Sequence, residues 1–317
     1  IMVDDFEGSA SGIPLGNFNF NEWILASTPS EFTEFNRTND LSYGYNRARF
    51  NWYVLDREFQ NQDDTEDPYT RLVNRVELFP NITQVPSQIN FIRMSFYPDE
   101  RGPYNFDPPD GSDVSAGASW DNDRNMMILE NPEERWGGVM RFLQNNDFQQ
   151  LNVEYIEFWM MNPFMDFADG TSHAPNESGF LKFNLGNVSE DILKDNLQFY
   201  ENGLTFDDNN PLPTIETEWA NVPLLQPKTI NFDLQNARKQ DLGLDGLSDA
   251  AENERFEEYV SAVLADNPSA RIKLDPADDN FFTFNNDSIY SLDTQSALER
   301  LKRFNNSEGN APDQNPQ

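Results

Sequence analysis

The sequence predicts a mainly β, α+β protein: an antiparallel, sandwich-like or jelly-roll-like domain over residues 1–200 and a smaller helix-containing part over 201–304. Three observations predict it. Short runs such as RARFNWYVLD (47–56) and INFIRMSFYP (89–98) alternate in character with a period of two, the signature of a pleated strand. Glycine, proline and aspartate recur between these runs and supply turns. The clearest helical periodicity comes late, over residues 248–266 and 293–304.

In order, VDDFEGSASGIPL reads as a first strand ending near Gly8, and NEWILASTP (21–29) as a second apolar stretch stopped by Pro29. In RARFNWYVLD the residues Ala48, Phe50, Trp52 and Val54 face inward and Arg47, Arg49 and Asn51 outward. RLVNRVELFP (71–80) reads as an arm or short helix ended by Pro80. Residues 99–125 are rich in Gly, Pro and Asp and read as a long ordered loop or exposed flap. RWGGVMRFL (135–143) precedes the expected central strand, Val153 to Met161, with Val153, Tyr155, Glu157 and Trp159 on one face. GFLKFNLG (179–186) alternates again, with Leu181, Phe183 and Leu185 inward, and Ser189 is the expected cap of a following turn.

Ser248 caps the best helix, whose stripe is Phe256, Tyr259, Val260 and Val263 and whose end is Asn267-Pro268. A second helix starts at Asp293, and residues 305–317 lack core side chains and read as a flexible tail.

The 317 residues carry 55 acidic against 22 basic side chains, a net charge of -33. That surface repels a phosphate backbone and an anionic leaflet, so no nucleic-acid partner is expected. Cysteine is absent, which removes disulfides, thiolate nucleophiles and cysteine metal sites. The chain opens on Ile1, so the expectation is that its original start, and any signal peptide, has been lost. No run of 18 apolar residues marks a transmembrane helix, although barrel strands give a weaker signal.

Reactive chemistry has few candidates. The one histidine, His173, sits in the polar turn GTSHAPNES and excludes a multi-histidine zinc site. Asp4, Asp5 and Glu7, or Glu154 and Glu157, could supply glycosidase carboxylates only if paired across the fold, because Glu154 and Glu157 fall on opposite faces of a strand. Hard oxygen ligands for a structural calcium ion are offered by Asp5 and Glu7, or by Asp275, Asp278 and Asp279 in DPADDN; neither stretch fits the twelve-residue calcium loop. Gly137-Gly138 and LGLDGLSD (242–249) lack the lysine of a phosphate loop and read as tight turns. No catalytic residue, cofactor or small-molecule substrate is expected. Arg101 and Tyr104 are the expected locks of the long loop; Arg135, Trp136, Arg141 and Trp159 are expected to anchor the surroundings of the central strand.

Eight segments in order, DDFEGS, RARFNWYVLD, DPYTRLVNRVELFPN, ERGPYNFDP, RWGGVMR, NVEYIEFWMMNPF, FLKFNLGNVSEDILKD with FYENG, and QDLGLDGLSDAAE, resemble one stretch of the SprA/Sov outer-membrane proteins of Bacteroidetes. The resemblance spans residue 3 to about residue 310. It implies a part of the type IX secretion translocon, a protein-export channel also tied to gliding motility. The chain lacks a regular series of ten-residue amphipathic strands, so it is expected to be a soluble insertion and not lipid-facing wall. An extracellular position is expected, with a periplasmic one as the alternative. The family implies partners: the rest of the barrel, a barrel-shaped shuttle or attachment protein, a periplasmic plug, and cargo with the type IX signal. The alternatives are a cell-surface carbohydrate-binding jelly roll, calcium-stabilised, and, behind it, an acidic hydrolase.

Overall fold

The computed structural model describes residues 13, 23–37, 40–53, 69–81, 89, 91–143, 147–151, 153–164, 178–186, 188, 192–193, 213–216, 221–223, 243–280 and 301–302. The expected first strand at 3–8, Ser189, His173 and most of the helix expected at 293–304 lie outside the described residues; Leu301 and Lys302 are helical.

The chain forms two compact units that interleave along the sequence. The first comprises Ile1–Phe20, Val54–Arg93 and Phe142–Gly186, and the second Asn21–Tyr53, Met94–Arg141 and Asn187–Gln317.

The second unit holds most of the sheet structure, and its described strand pairs are antiparallel wherever register is defined. Strands β2 (Ala48–Tyr53), β3 (Arg93–Arg101), β4 (Ala118–Asp121) and β5 (Met126–Leu129) form one sheet in the order β2-β3-β5-β4. Strand β1 (Trp23–Leu25) pairs with β6 (Val139–Arg141), Ile24 opposite Met140. A third ladder joins β7 (Thr214–Glu216) to β8 (Asn221–Pro223). The hairpin between β4 and β5 follows from its loop: Asp121 Oδ1 accepts from the N–H groups of Asp123 at 2.8 Å and Arg124 at 3.1 Å. Asn125 then takes φ 56°, a left-handed conformation that asparagine tolerates better than most residues.

Strand β2 forms where the alternation places it, but both of its faces are buried. Arg47, Arg49 and Asn51, expected outward, are covered along with Ala48 and Trp52. Each polar side chain has found a distant partner: Arg47 donates to the Pro103 carbonyl, Arg49 pairs with Glu100 and Asp278, and Asn51 donates to the Leu301 carbonyl. Buried polar groups are tolerated when hydrogen-bonded, so alternation correctly marks the strand and misjudges what covers it.

The best helix is two helices. α2 (Asp249–Arg255) and α3 (Glu257–Asp266) meet at Phe256, whose φ of -105° and ψ of 29° leave the helical region. The expected stripe of Phe256, Tyr259, Val260 and Val263 is buried. Phe256 and Tyr259 close on Phe106, with ring centroids 4.3 and 5.4 Å apart. Phe106 comes from the stretch 99–125, whose first part is core, with Tyr104, Asn105, Phe106 and Asp107 all buried, while the β4–β5 turn at 122–125 is exposed.

In the first unit, the short helix α1 (Arg75–Leu78) forms in the expected place, closed by a capping box in which the Asn74 N–H donates to the Glu77 carboxylate at 2.8 Å. The expected central strand does not form. Residues 153–161 and 179–185 have no strand pairing among the described residues. Tyr155, Trp159 and Phe180 stand 75%, 64% and 94% exposed. A strand needs a ladder partner as well as alternation, and the described residues provide none here. Glu154 and Glu157 are exposed as well.

The class is therefore mainly β with antiparallel sheets and three helices among the described residues. None of these helices is long and apolar enough to cross a membrane.

Candidate functional site

In the second unit, Arg135 enters a wholly buried site after the turn at 132–134. It donates to the Asp107 carboxylate at 2.7 Å and to the carbonyls of Tyr45 (2.7 Å), Gly117 (2.7 Å) and Glu130 (2.9 Å). One guanidinium thereby fastens four separate backbone stretches. Trp136 follows, buried, its backbone N–H donating to the Asn46 carbonyl at 3.0 Å and its ring facing the Arg47 guanidinium at 5.3 Å. Burial pushes Arg47 down to about 10. Arg141 lies over the Trp23 ring at 5.8 Å. In the first unit Trp159 is exposed and meets Phe79 edge-on, with centroids 6.1 Å apart.

Arg101 and Tyr104 organise a different place. Arg101 is buried, donates to the Asn105 carbonyl at 2.5 Å and to the Pro276 carbonyl, and faces the Tyr259 ring at 5.3 Å. Tyr104 takes φ 58°. Its N–H donates to the Ala277 carbonyl at 2.8 Å, and its hydroxyl accepts from the Leu244 N–H at 2.7 Å. These two residues thus hold together two loops, 243–248 before α2 and 275–280 after α3.

Between those loops lies a concentrated group of carboxylates. One oxygen from each of Asp245, Glu252 and Asp279 lies within 4.8 Å of the others, and all three residues are buried. Asp249, Glu252 and Asp275 form a second, overlapping group on the more open side. The loops are closed by hydrogen bonds: Asp245 Oδ1 accepts from Leu247 N–H at 2.9 Å, Glu252 Oε2 from Ala277 N–H at 2.9 Å, and Asp275 Oδ1 from Asp279 N–H at 3.1 Å. Asp245 Oδ2 is buried and accepts no hydrogen bond.

The electrostatics follow from this crowding. Burial raises the Glu252 carboxyl well above the ordinary range, and Asp245, Asp275 and Asp249 push it further. Burial also raises Asp245 and Asp275; at Asp275 the neighbouring Asp278 adds to the rise and the Arg101 guanidinium opposes it. Such groups become comfortable either by keeping protons or by sharing a cation.

The expected calcium ligands divide. Asp275 and Asp279 belong to the cluster, whereas Asp278 turns through a left-handed φ of 59° and pairs with Arg49. Asp5 and Glu7 lie outside the described residues. Asp245, Asp249 and Glu252 join the site although none was an expected ligand. Their signal was the spacing within DLGLDGLSDAAE, masked by a glycine where a ligand is usual.

A groove of about 550 Å³ elsewhere in this unit is lined by Tyr97, Glu100, Arg124 and Lys302. Its charges are engaged: Lys302 pairs with Glu100, and Arg124 with Asp99 at 2.8 Å. No protein-family model matches the chain, and neither does any curated protein.

Proposed function

We propose that this chain is a non-catalytic structural domain of an outer-membrane protein-export channel of the type IX kind, helping to form or cap the conduit for folded cargo. Its finer fold is that of a β-sandwich or jelly roll, and its place is on the extracellular side. The reading rests on the resemblance of eight ordered segments to the SprA/Sov proteins. The observation that carries it in the structure is the pair of exposed apolar runs, 153–161 and 179–185. Alongside the rings of Tyr155, Phe158, Trp159 and Phe180 they expose the aliphatic Met160, Met161, Leu181 and Leu185. Apolar surface on this scale calls for a cover, and strand-type alternation suits further polypeptide of a large assembly. The partners would be the rest of the barrel, the shuttle or attachment protein, the plug and the cargo.

A carbohydrate-binding jelly roll is the second reading, favoured by the same exposed rings. It accounts for the tryptophan and tyrosine and leaves the methionines and leucines beside them without a task, since sugars stack on aromatic faces. The acidic hydrolase has little to support it: Glu154 and Glu157 are exposed, Asp4, Asp5 and Glu7 lie outside the described residues, and the buried Asp245, Glu252 and Asp279, at most 3% exposed, are closed to a sugar ring.

The test uses the exposed turn between β4 and β5. The chain has no cysteine, so Asp123→Cys introduces a unique thiol into it. In intact cells carrying the full-length protein, an impermeant maleimide should label that thiol, and coupling a bulky group there should slow release of folded cargo. Labelling with undiminished export would remove the channel-capping role. Labelling only after the outer membrane is opened would move the domain to the periplasmic side.

A further inference from the structure

The carboxylates between residues 243–252 and 275–279 go beyond the export reading and do not depend on it. From Asp241 to Glu252 the sequence runs D-L-G-L-D-G-L-S-D-A-A-E. A twelve-residue calcium loop takes ligands at positions 1, 3, 5, 7, 9 and 12, with glycine at 6 for the sharp turn and a glutamate at 12. Asp245, Gly246, Asp249 and Glu252 fill positions 5, 6, 9 and 12. Gly246 has the left-handed φ of 73° that the turn demands. As in such loops, the end of the segment runs into a helix, α2. Asp241, position 1 by spacing, lies outside the described residues and contributes nothing to the geometry argued below.

The departure from the pattern is Gly243 at position 3, where Asp or Asn is usual. The structure shows what stands in its place. A Cβ built on Gly243 would collide with the Asp279 carboxylate, approaching its carboxyl carbon to 2.7 Å and the Tyr104 hydroxyl to 2.8 Å. The carboxylate that a side chain at position 3 would bring is delivered from the loop after α3. Glycine is favoured there by its left-handed φ of 54°, and the space a side chain would take is filled by Asp279.

We infer that Asp245, Glu252 and Asp279, with Asp249 and Asp275 beside them, form a calcium-binding site in which Asp279 replaces the missing third ligand of the loop. Two observations beyond acidity support it. Asp245 is 1% exposed, and its Oδ2 has no hydrogen-bond donor while the residue belongs to a cluster whose oxygens lie within 4.8 Å of one another. Gly246 takes the left-handed turn at position 6, and Gly243 leaves the space that the Asp279 carboxylate fills. Oxygen-only donors select hard cations, and carboxylates drawn from two loops suit the larger, adaptable shell of calcium better than the strict octahedron of magnesium. The ion would fasten the start of α2 to the 275–280 loop, the junction that Tyr104 already bridges.

The experiment is calorimetric titration of the EDTA-stripped 317-residue chain with calcium chloride, alongside thermal melts. The expected result is one ion per chain and a clear rise in melting temperature. Asp245→Asn retains an acceptor for Leu247 and removes one charge. It should weaken calcium binding by about tenfold or more, yet melt no lower than the stripped wild type. Glu133→Gln, exposed in the turn at 132–134 and away from both acidic loops in the sequence, should bind calcium as the wild type does. A folded wild type with neither heat nor melting shift overturns the site. Undiminished affinity in Asp245→Asn places any ion elsewhere, and an equal response to magnesium removes the assignment of calcium.

Discussion

Arg135 and Asp107 form an ion pair at 2.7 Å with both side chains wholly buried. The pair is more than a charge contact, because Arg135 also satisfies three carbonyls and Asp107 accepts from the Ser115 hydroxyl. Burial still dominates at Asp107, whose carboxyl is raised from the usual range despite the arginine. Removing one partner strands the other in a dry interior. Arg135→Met should therefore cost about 3–5 kcal/mol in urea denaturation, and adding Asp107→Asn should recover part of that loss. A double variant whose loss equals the sum of the losses of Arg135→Met and Asp107→Asn would show that the two residues are not coupled.

Tyr104 links the two acidic loops, its backbone N–H donating to the Ala277 carbonyl and its hydroxyl accepting from the Leu244 N–H. Tyr104→Phe keeps the ring and deletes the acceptor for the Leu244 N–H. The expected cost is about 1–3 kcal/mol, with faster amide exchange at Leu244 than in the wild type. Unchanged exchange would mean that the loop is held by other contacts.

Gly137 and Gly138 should behave differently although they are adjacent. A Cβ at Gly137 would approach Phe50 Cβ and the Phe96 ring to 2.8 Å, whereas one at Gly138 would meet only Ala26 Cβ at 3.5 Å. Gly137→Ala should destabilise by about 1–3 kcal/mol and Gly138→Ala much less. Similar melting temperatures for the two variants would contradict the packing described here.

Glu34 gives a pH signature. It is fully buried, and burial raises its carboxyl above the ordinary 4.5, against hydrogen bonds from Asn46 and Thr33. A carboxyl that titrates higher in the folded than the unfolded chain keeps its proton longer when folded. Its penalty is absent below the unfolded value and accrues as pH rises through the folded one. Glu34→Gln keeps the shape and removes the titration, so relative to wild type it should gain stability between acidic and neutral pH. Parallel stability–pH curves would show that Glu34 ionises freely.

How far the sequence could be read depended on whether its signals were local. The stripe of α3 was legible because helix packing repeats within the segment, β2 and β3 were legible from alternation, and β1 only as an apolar stretch ended by Pro29. The covering of Arg47, Arg49 and Asn51 was not, since their partners include Pro103, Asp278 and Leu301, far along the chain. Residues 153–161 carried the same alternation without a ladder to join. The acidic site was half legible: Asp275 and Asp279 stood out as a run. Asp245 and Glu252 were missed because Gly243 breaks the familiar spacing, and only folding shows that Asp279 fills the gap.

The central claim, that this domain is shaped to be covered by more of an export assembly, is tested most directly at Phe180, which is 94% exposed. A photoreactive phenylalanine analogue placed there in the full-length protein, and irradiated in living cells, should form a covalent product with polypeptide of the channel or its partners. Recovery of the uncrosslinked protein alone, or of adducts with surface glycan, would contradict the account.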